Sequence, residues 1–169
     1  MGKNKKISSG VKVGLIAITI NIITVAVYIY QTNLMQKQQH ASVWPYLEWR
    51  IIYNQDDGVV LKVRNNGVGP AIINKAAIKL NNNPVPVLDS LFSKLLGTTQ
   101  FPHLTAEVQN RVLPAGESIN MIKVVDPKWA ELLYAKVNES NFEMKICYES
   151  IYEDQWVCTG TIVKESRCN

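Results

Sequence analysis

The side chains with the richest chemistry are three cysteines, Cys147, Cys158 and Cys168, and two histidines, His40 and His103. The cysteine spacing fits no zinc-ligand pattern, and neither histidine has a second ligand close by in sequence, so no metal site is expected. His103, in QFPHLT, lacks the oriented partner that a general base needs and reads as a loop histidine. Glu149, Glu153 and Asp154 form one acidic group, and Asp56 with Asp57 another. Both read as solvated turn acids rather than a cation site, because Asp is common in turns. No P-loop, G-x-G-x-x-G, G-x-S-x-G or H-E-x-x-H occurs. The chain is read as neither an enzyme nor a cofactor carrier.

Two of the cysteines do suggest a bond. Cys147 and Cys158 lie on the arms of a terminal hairpin, CYESIYEDQWVC, with Glu153-Asp154 at its turn. Pairing centred on Tyr152-Glu153 sets them opposite each other with Cα atoms about 4.5 Å apart, near the lower end of disulfide geometry. In an oxidising compartment a Cys147–Cys158 bridge is expected; in a reducing one the two are small buried hydrophobes. Cys168 is left over as a loose thiol or an intermolecular link.

The compartment depends on the first forty residues. Val13 to Tyr30 runs eighteen residues without a charge, behind the basic start MGKNKK. As a helix that run is about 27 Å long, enough to cross a hydrocarbon core of about 30 Å. Signal-peptide cores are shorter and end at a small-x-small site; here Ala41 is the nearest small residue and Gln39 occupies its −3 position. An uncleaved anchor is expected, with Tyr28 and Tyr30 at the interface. Lys3, Lys5, Lys6 and Lys12 precede the run and only Lys37 closely follows it, so the positive-inside rule keeps the N-terminus cytoplasmic and exports the rest. Of 18 Lys and Arg, five precede Ala41, leaving 13 against all 14 Asp and Glu beyond it. A nucleic-acid footprint needs a basic domain, and this one is near neutral.

Within the span, Gly10, Gly14, Ala17, Asn21, Thr24, Tyr28 and Gln31 recur at alternating steps of four and three. Small and polar residues on one stripe allow close backbone approach and interhelical hydrogen bonds, which drive association where lipid removes the hydrophobic effect. Asn21, near mid-bilayer, gains most from a second amide. The stripe is read as an association seam, meeting either a second copy or another membrane protein.

QTNLMQKQQH continues the helix as a polar stalk until Pro45 excludes it. Beyond the stalk, YLEWRIIY and VVLKVRN read as strands joined by a turn at Asp57-Gly58. IINKAAIKL follows with Ile72, Ala76, Ile78 and Leu80 on one face, and NNNPVP breaks the chain. VLDSLFSKLLG is a helix striped by Leu88, Leu91, Phe92, Leu95 and Leu96 and stopped by Gly97. TAEVQNRVL and INMIKVV are strands around the turn LPAGES. Asp126-Pro127 caps a second helix, WAELLYAKV, and FEMKICYESIY with QWVCTGTIV closes the chain. Trp49 and Trp156 fall within strands and read as half-core, with Trp44 and Trp129 outside them; Lys62 and Arg64 share one strand face. About seven strands at this spacing make a β-sandwich with two short inserted helices.

NNGVGPA (Asn65–Ala71) and LPAGESI (Leu113–Ile119) resemble the turns of bacterial immunoglobulin-like accessory domains, in which N-x-G-x-x-A ends one strand and L-x-P-G-E/Q-S introduces a later one. Ala115, between the Pro and Gly, lengthens the second turn by one residue. The layout from Val59 to Val163 is similar to membrane-anchored bacterial proteins carrying such a domain. Apart from the family, Gly67 and Gly69 permit positive φ and Pro70 sets the exit of the turn.

The resemblance implies an immunoglobulin-like sandwich on a bacterial inner-membrane anchor. The layout is a cytoplasmic basic tail over residues 1–12, the transmembrane helix over 13–30, the stalk over 31–42, the sandwich over 43–164 and a tail over 165–169. The expected function is binding or scaffolding in the envelope, with the lipid bilayer and a second copy or another membrane protein as partners, no nucleic acid and no cofactor. The alternative turns the domain to the cytosol as a ligand-sensing oligomeric membrane effector of a bacterial antiviral system, with a nucleotide as the candidate ligand.

Overall fold

A computed structural model describes residues 8–167. Lys3, Lys5, Lys6 and Cys168 lie outside the described residues. The chain forms two compact units, Met1–Ala41 and Ser42–Asn169.

Span and stalk are one continuous helix, α1 (Ser9–Ser42), 34 residues and so about 51 Å long. It is long and apolar enough to cross a membrane. None of its residues is buried within one copy of the chain. The Thr19, Thr24 and Thr32 hydroxyls each donate at 2.9 Å to the carbonyl four residues back, which satisfies them inside the helix.

The second unit holds two antiparallel sheets and two helices. One sheet takes β1 (Leu47–Asn54), β2 (Gly58–Asn65), β7 (Ser118–Val124) and β5 (Leu104–Thr105), in that spatial order. The other runs β10 (Ile162–Glu165), β9 (Gln155–Thr159), β8 (Phe142–Glu149), β3 (Ala71–Leu80) and β4 (Asn83–Val85), with β6 (Arg111–Leu113) also pairing with β3. Helix α2 (Leu88–Leu96) lies between β4 and β5 in the chain, and α3 (Pro127–Glu139) between β7 and β8. One hydrophobic core draws Leu61, Val63 and Val124 from the first sheet, Ile73, Met144 and Ile146 from the second, Leu91 and Phe92 from α2 and Leu133 from α3.

The described residues form ten strands, against an expected seven or so. Asn81 and Asn82, both at positive φ (51° and 65°), make a two-residue turn that folds NNNPVP back on β3 as β4. Gly160, at φ 64°, divides QWVCTGTIV into β9 and β10. TAEVQNRVL is not one strand: Leu104-Thr105 pairs with β7 and Arg111–Leu113 with β3, so this segment passes from one sheet to the other. The expected helices stand, with Asp126 Oδ1 accepting from the Trp129 N–H at 3.1 Å and Gly97 ending α2 at φ 71°.

Two register effects correct the reading of side-chain faces. A bulge between Ile73 and Lys75 leaves Asn74 unpaired against β8, so Ile73 rather than Ile72 joins Ala76, Ile78 and Leu80 towards the core. In the terminal hairpin, Ser150 N–H bonds the Asp154 carbonyl at 2.9 Å and closes a five-residue loop centred on Tyr152. Cys147 therefore faces Val157, and Cys158 faces Ile146. One residue of register sends the two thiols to opposite faces of the sheet, and both are free; the expected bridge is not made.

The two turn motifs converge on a single buried side chain. Asn65, fully buried, accepts from the Tyr46 N–H (3.2 Å) and Gly67 N–H (2.9 Å) and donates to the Gly69 carbonyl (2.8 Å) and Leu113 carbonyl (3.0 Å). Its backbone N–H donates to Glu117 O at 3.0 Å, and its carbonyl accepts from Gly116 N–H at 2.9 Å. Gly67 and Gly69 are not at positive φ; their role is close approach. A Cβ at Gly67 would overlap the Trp44 carbonyl and the Tyr46 nitrogen, and one at Gly69 the Val43 carbonyl. Asn66 and Val68 N–H groups bond the Tyr46 and Trp44 carbonyls at 2.7 and 3.0 Å.

Replacing Asn65 with Ala strands four backbone groups, two buried and two partly buried, and Asn65→Asp sets an oxygen against two carbonyls at nearly unchanged volume. We expect both to cost about 3 kcal/mol, roughly 10 °C in Tm, when the full chain is melted in detergent. An Asp variant as stable as the wild type would show that shape rather than hydrogen bonding holds this joint.

Candidate functional site

At about 100° per residue, Gly10, Gly14, Ala17, Asn21, Thr24, Tyr28 and Gln31 fall within a stripe about 100° wide along α1. Glycine inside a helix costs about 1 kcal/mol relative to alanine, and nothing among the described residues requires it at residue 14, where an added Cβ would meet none of their atoms within 4 Å. The Thr24 hydroxyl is already bonded to the Ile20 carbonyl. The Asn21 amide makes no hydrogen bond among the described residues, so of the stripe's two mid-span polar groups only Asn21 is left to find a partner. The stripe combines small residues with Tyr28 and two side-chain amides, Asn21 in mid-span and Gln31 at its end.

In the second unit the remaining candidates separate. His103 is not a loose surface residue: its ring lies 4.6 Å from Phe92 and 4.5 Å from Phe101, and Nδ1 is 2.8 Å from the Phe101 carbonyl. A carbonyl can only accept, which places the proton of the neutral ring on Nδ1. Asp56 and Asp57 are held in their turn by Asn54, whose Oδ1 accepts from the Asp56 N–H and whose Nδ2 donates to Asp57. Trp49 is half-buried and donates to the Met144 carbonyl at 3.0 Å; Trp129 stacks on Phe101 and Trp156 on Tyr148. Trp44 is exposed, with an edge contact to Tyr46. Lys62 and Arg64 sit opposite Arg50 and Glu48 across β1 and β2. Among the described residues, no three His, Cys, Asp or Glu side chains converge to hold a metal ion.

The two described thiols differ sharply. Cys158 is fully buried and its S–H donates to the Gly160 carbonyl at 3.3 Å; burial pushes its pKa up to about 12. Cys147 is half-buried on the opposite, outer face. Tyr148, beside them and fully buried, is also pushed upward by desolvation, against the opposing effect of the Leu47 N–H that bonds its hydroxyl at 3.3 Å.

Sheet pairing also gathers charges that lie far apart in sequence. On the outer face of the second sheet, Lys75 pairs with Cys147, Cys147 with Val157, and Val157 with Lys164; Lys145 sits one row on, opposite Ala77 and Thr159. With Arg167 these lysines surround a hollow of about 770 Å³ whose one carboxylate is Glu143. A second hollow, about 690 Å³, adjoins it at the hairpin end and contains Glu149, Glu153, Asp154 and Glu165. Lys75 on β3 and Lys145 on β8 were the sequence signal for the cationic face; that they share it with Lys164 depends on pairing.

Because the unfolded chain ionises Cys158 near 9.0 and Tyr148 near 10.0 while the fold holds both protonated, stability is fully present below about pH 9 and falls as pH rises towards 12. Melting curves between pH 8 and 11 should show this fall, and Cys158→Ala should shallow it. Under native conditions at pH 7.5, an alkylating reagent should modify Cys147 at least about 100-fold faster than Cys158, with denaturant equalising them. Equal native rates would contradict the buried, protonated thiol.

A family model described as a domain of unknown function, DUF8453, matches residues 10–163. No curated protein and no solved structure matches the chain.

Proposed function

The chain belongs to the DUF8453 family, and from that premise we propose that it is a membrane-anchored binding or scaffolding protein of the bacterial envelope that self-associates through α1. The observation that carries this is the stripe on an otherwise apolar helix, with open space at Gly14 and an Asn21 amide that bonds to nothing among the described residues. In lipid such an amide is worth more paired than alone. The family match begins inside α1, which supports the helix as part of the working unit rather than a removable leader.

We read the second unit as an immunoglobulin-like sandwich, and strand order supports this. Strands β1, β2, β7 and β5 follow the A-B-E-D order of one immunoglobulin sheet, and β3, β8 and β9 the C-F-G order of the other. In that architecture function lies in loops and sheet surfaces rather than in a buried catalytic centre. The anchor raises local concentration and the domain presents its surface. The basic start supports an N-in, C-out orientation.

In bilayers, Asn21→Leu should weaken association of the full chain by about 3- to 30-fold, as expected for losing one interhelical amide pair. Energy transfer between labelled copies reads this out; no change would sink the seam. Orientation is tested with Cys147→Ser, leaving Cys168 as the reactive reporter for a membrane-impermeant thiol reagent in intact cells. Labelling before lysis supports the envelope reading. Protection until lysis would overturn it and favour the cytosolic ligand-sensing effector.

A further inference from the structure

The adjoining charged hollows in the second unit are complementary to each other. None of Lys75, Lys145, Lys164, Glu149, Glu153 or Glu165 forms an ion pair among the described residues. The domain is near neutral, yet its charge is unevenly spread: Lys75, Lys145 and Lys164 on the outer face of β3, β8 and β10 with Glu143 as the one carboxylate, and four carboxylates around the end of the β8–β9 hairpin, with Arg167 lining both hollows. We propose that the cationic face of one copy docks the acidic hairpin end of a neighbouring copy, a head-to-tail contact between domains.

Three features favour this occupant. Lys75 and Lys164 stand three strand spacings apart, about 14 Å, which suits an extended acidic surface better than a single phosphate. No aromatic side chain lines the hollow, so a nucleobase has nothing to stack on. The neighbouring carboxylates repel an anionic bilayer laid across the same face, whereas the same carboxylates on a second copy provide a matching polyanion. Donor and acceptor surfaces differ, so the contact is heterologous and can propagate into a ring when copies stand parallel. Exposed ion pairs are individually weak, so the contact requires a high local concentration. For that concentration the inference rests on the anchored, self-associating reading given above.

The test uses the full chain in vesicles of neutral phosphatidylcholine, with Cys147→Ser and donor or acceptor dyes on Cys168. Two charge-reversed chains are compared, K75E/K145E/K164E and E149K/E153K/E165K. Each alone should lose about tenfold or more in association relative to wild type, because like charges now meet. Mixing donor-labelled chains of one kind with acceptor-labelled chains of the other should restore transfer, and high salt should abolish the restoration. Unchanged transfer in both variants would overturn the proposal. Loss without rescue on mixing would also overturn it, pointing instead to an acidic partner or lipid on the cationic face. The same comparison in an Asn21→Leu background separates the two readings. Rescue on mixing with no effect of Asn21→Leu faults the seam alone; a seam effect with no rescue faults this contact alone.

Discussion

The fully buried amide of Asn65 uses all four of its hydrogen-bonding positions on backbone atoms from three separated segments. It joins the chain just after the stalk, the glycine turn that ends β2, and the turn that introduces β7. Burying an amide is favourable only when it is fully bonded, so this side chain leaves those segments little freedom to move independently. Gly67 and Gly69 are the steric counterpart, because the strand entrance at Val43–Tyr46 lies where their side chains would be. Val43–Tyr46 is thereby bound into the domain by backbone hydrogen bonds rather than hanging from it as a loose linker.

With that joint held, the two sheets can share one core. Leu47 begins β1 with its N–H on the Tyr148 hydroxyl, and the Trp49 indole reaches the Met144 carbonyl, so the first strand is bonded to the opposite sheet as well as to its neighbour. Tyr148 and Cys158 are the polar price of a β8–β9 hairpin whose inner face is otherwise apolar, and both stay neutral through neutral pH. The outer face of the same hairpin has no such constraint. There, alternation places Lys145, Cys147 and Glu149 on the outer side, exposed or half-buried, and cross-strand pairing adds Lys75 and Lys164. One set of strands therefore serves stability on one side and presents unevenly spread charge on the other.

Helix α1 follows different physics. It is long and apolar enough to cross a membrane; in a hydrocarbon core a helix has its backbone hydrogen bonds already satisfied and gains nothing hydrophobic by burial in protein, so size and residual polarity along the stripe would decide its contacts. Thr24 resolves its polarity internally and Asn21 does not. That difference makes Asn21 the informative position in the span, and it follows from side-chain reach: a threonine hydroxyl can bond the carbonyl four residues back, while an asparagine amide has donors and an acceptor that a neighbouring helix can meet together.

Features governed by local interactions were legible in the sequence. The apolar run, the Asp126-Pro127 cap, the Gly97 stop and most strands follow from propensity and periodicity over a few residues. Even there, the Asn81-Asn82 turn and Gly160 divided segments that composition alone could not divide. Features governed by register were not legible. Whether Cys147 meets Cys158 depended on a loop of five residues rather than four; whether Ile72 or Ile73 enters the core depended on a bulge at Asn74. The gathering of Lys75, Lys145 and Lys164 depended on which strands become neighbours. Composition alone determined an apolar N-terminal helix and a near-neutral β-rich domain. Tertiary structure alone decided that NNGVGPA and LPAGES meet at Asn65, because partners 48 residues apart are selected by packing and not by local sequence.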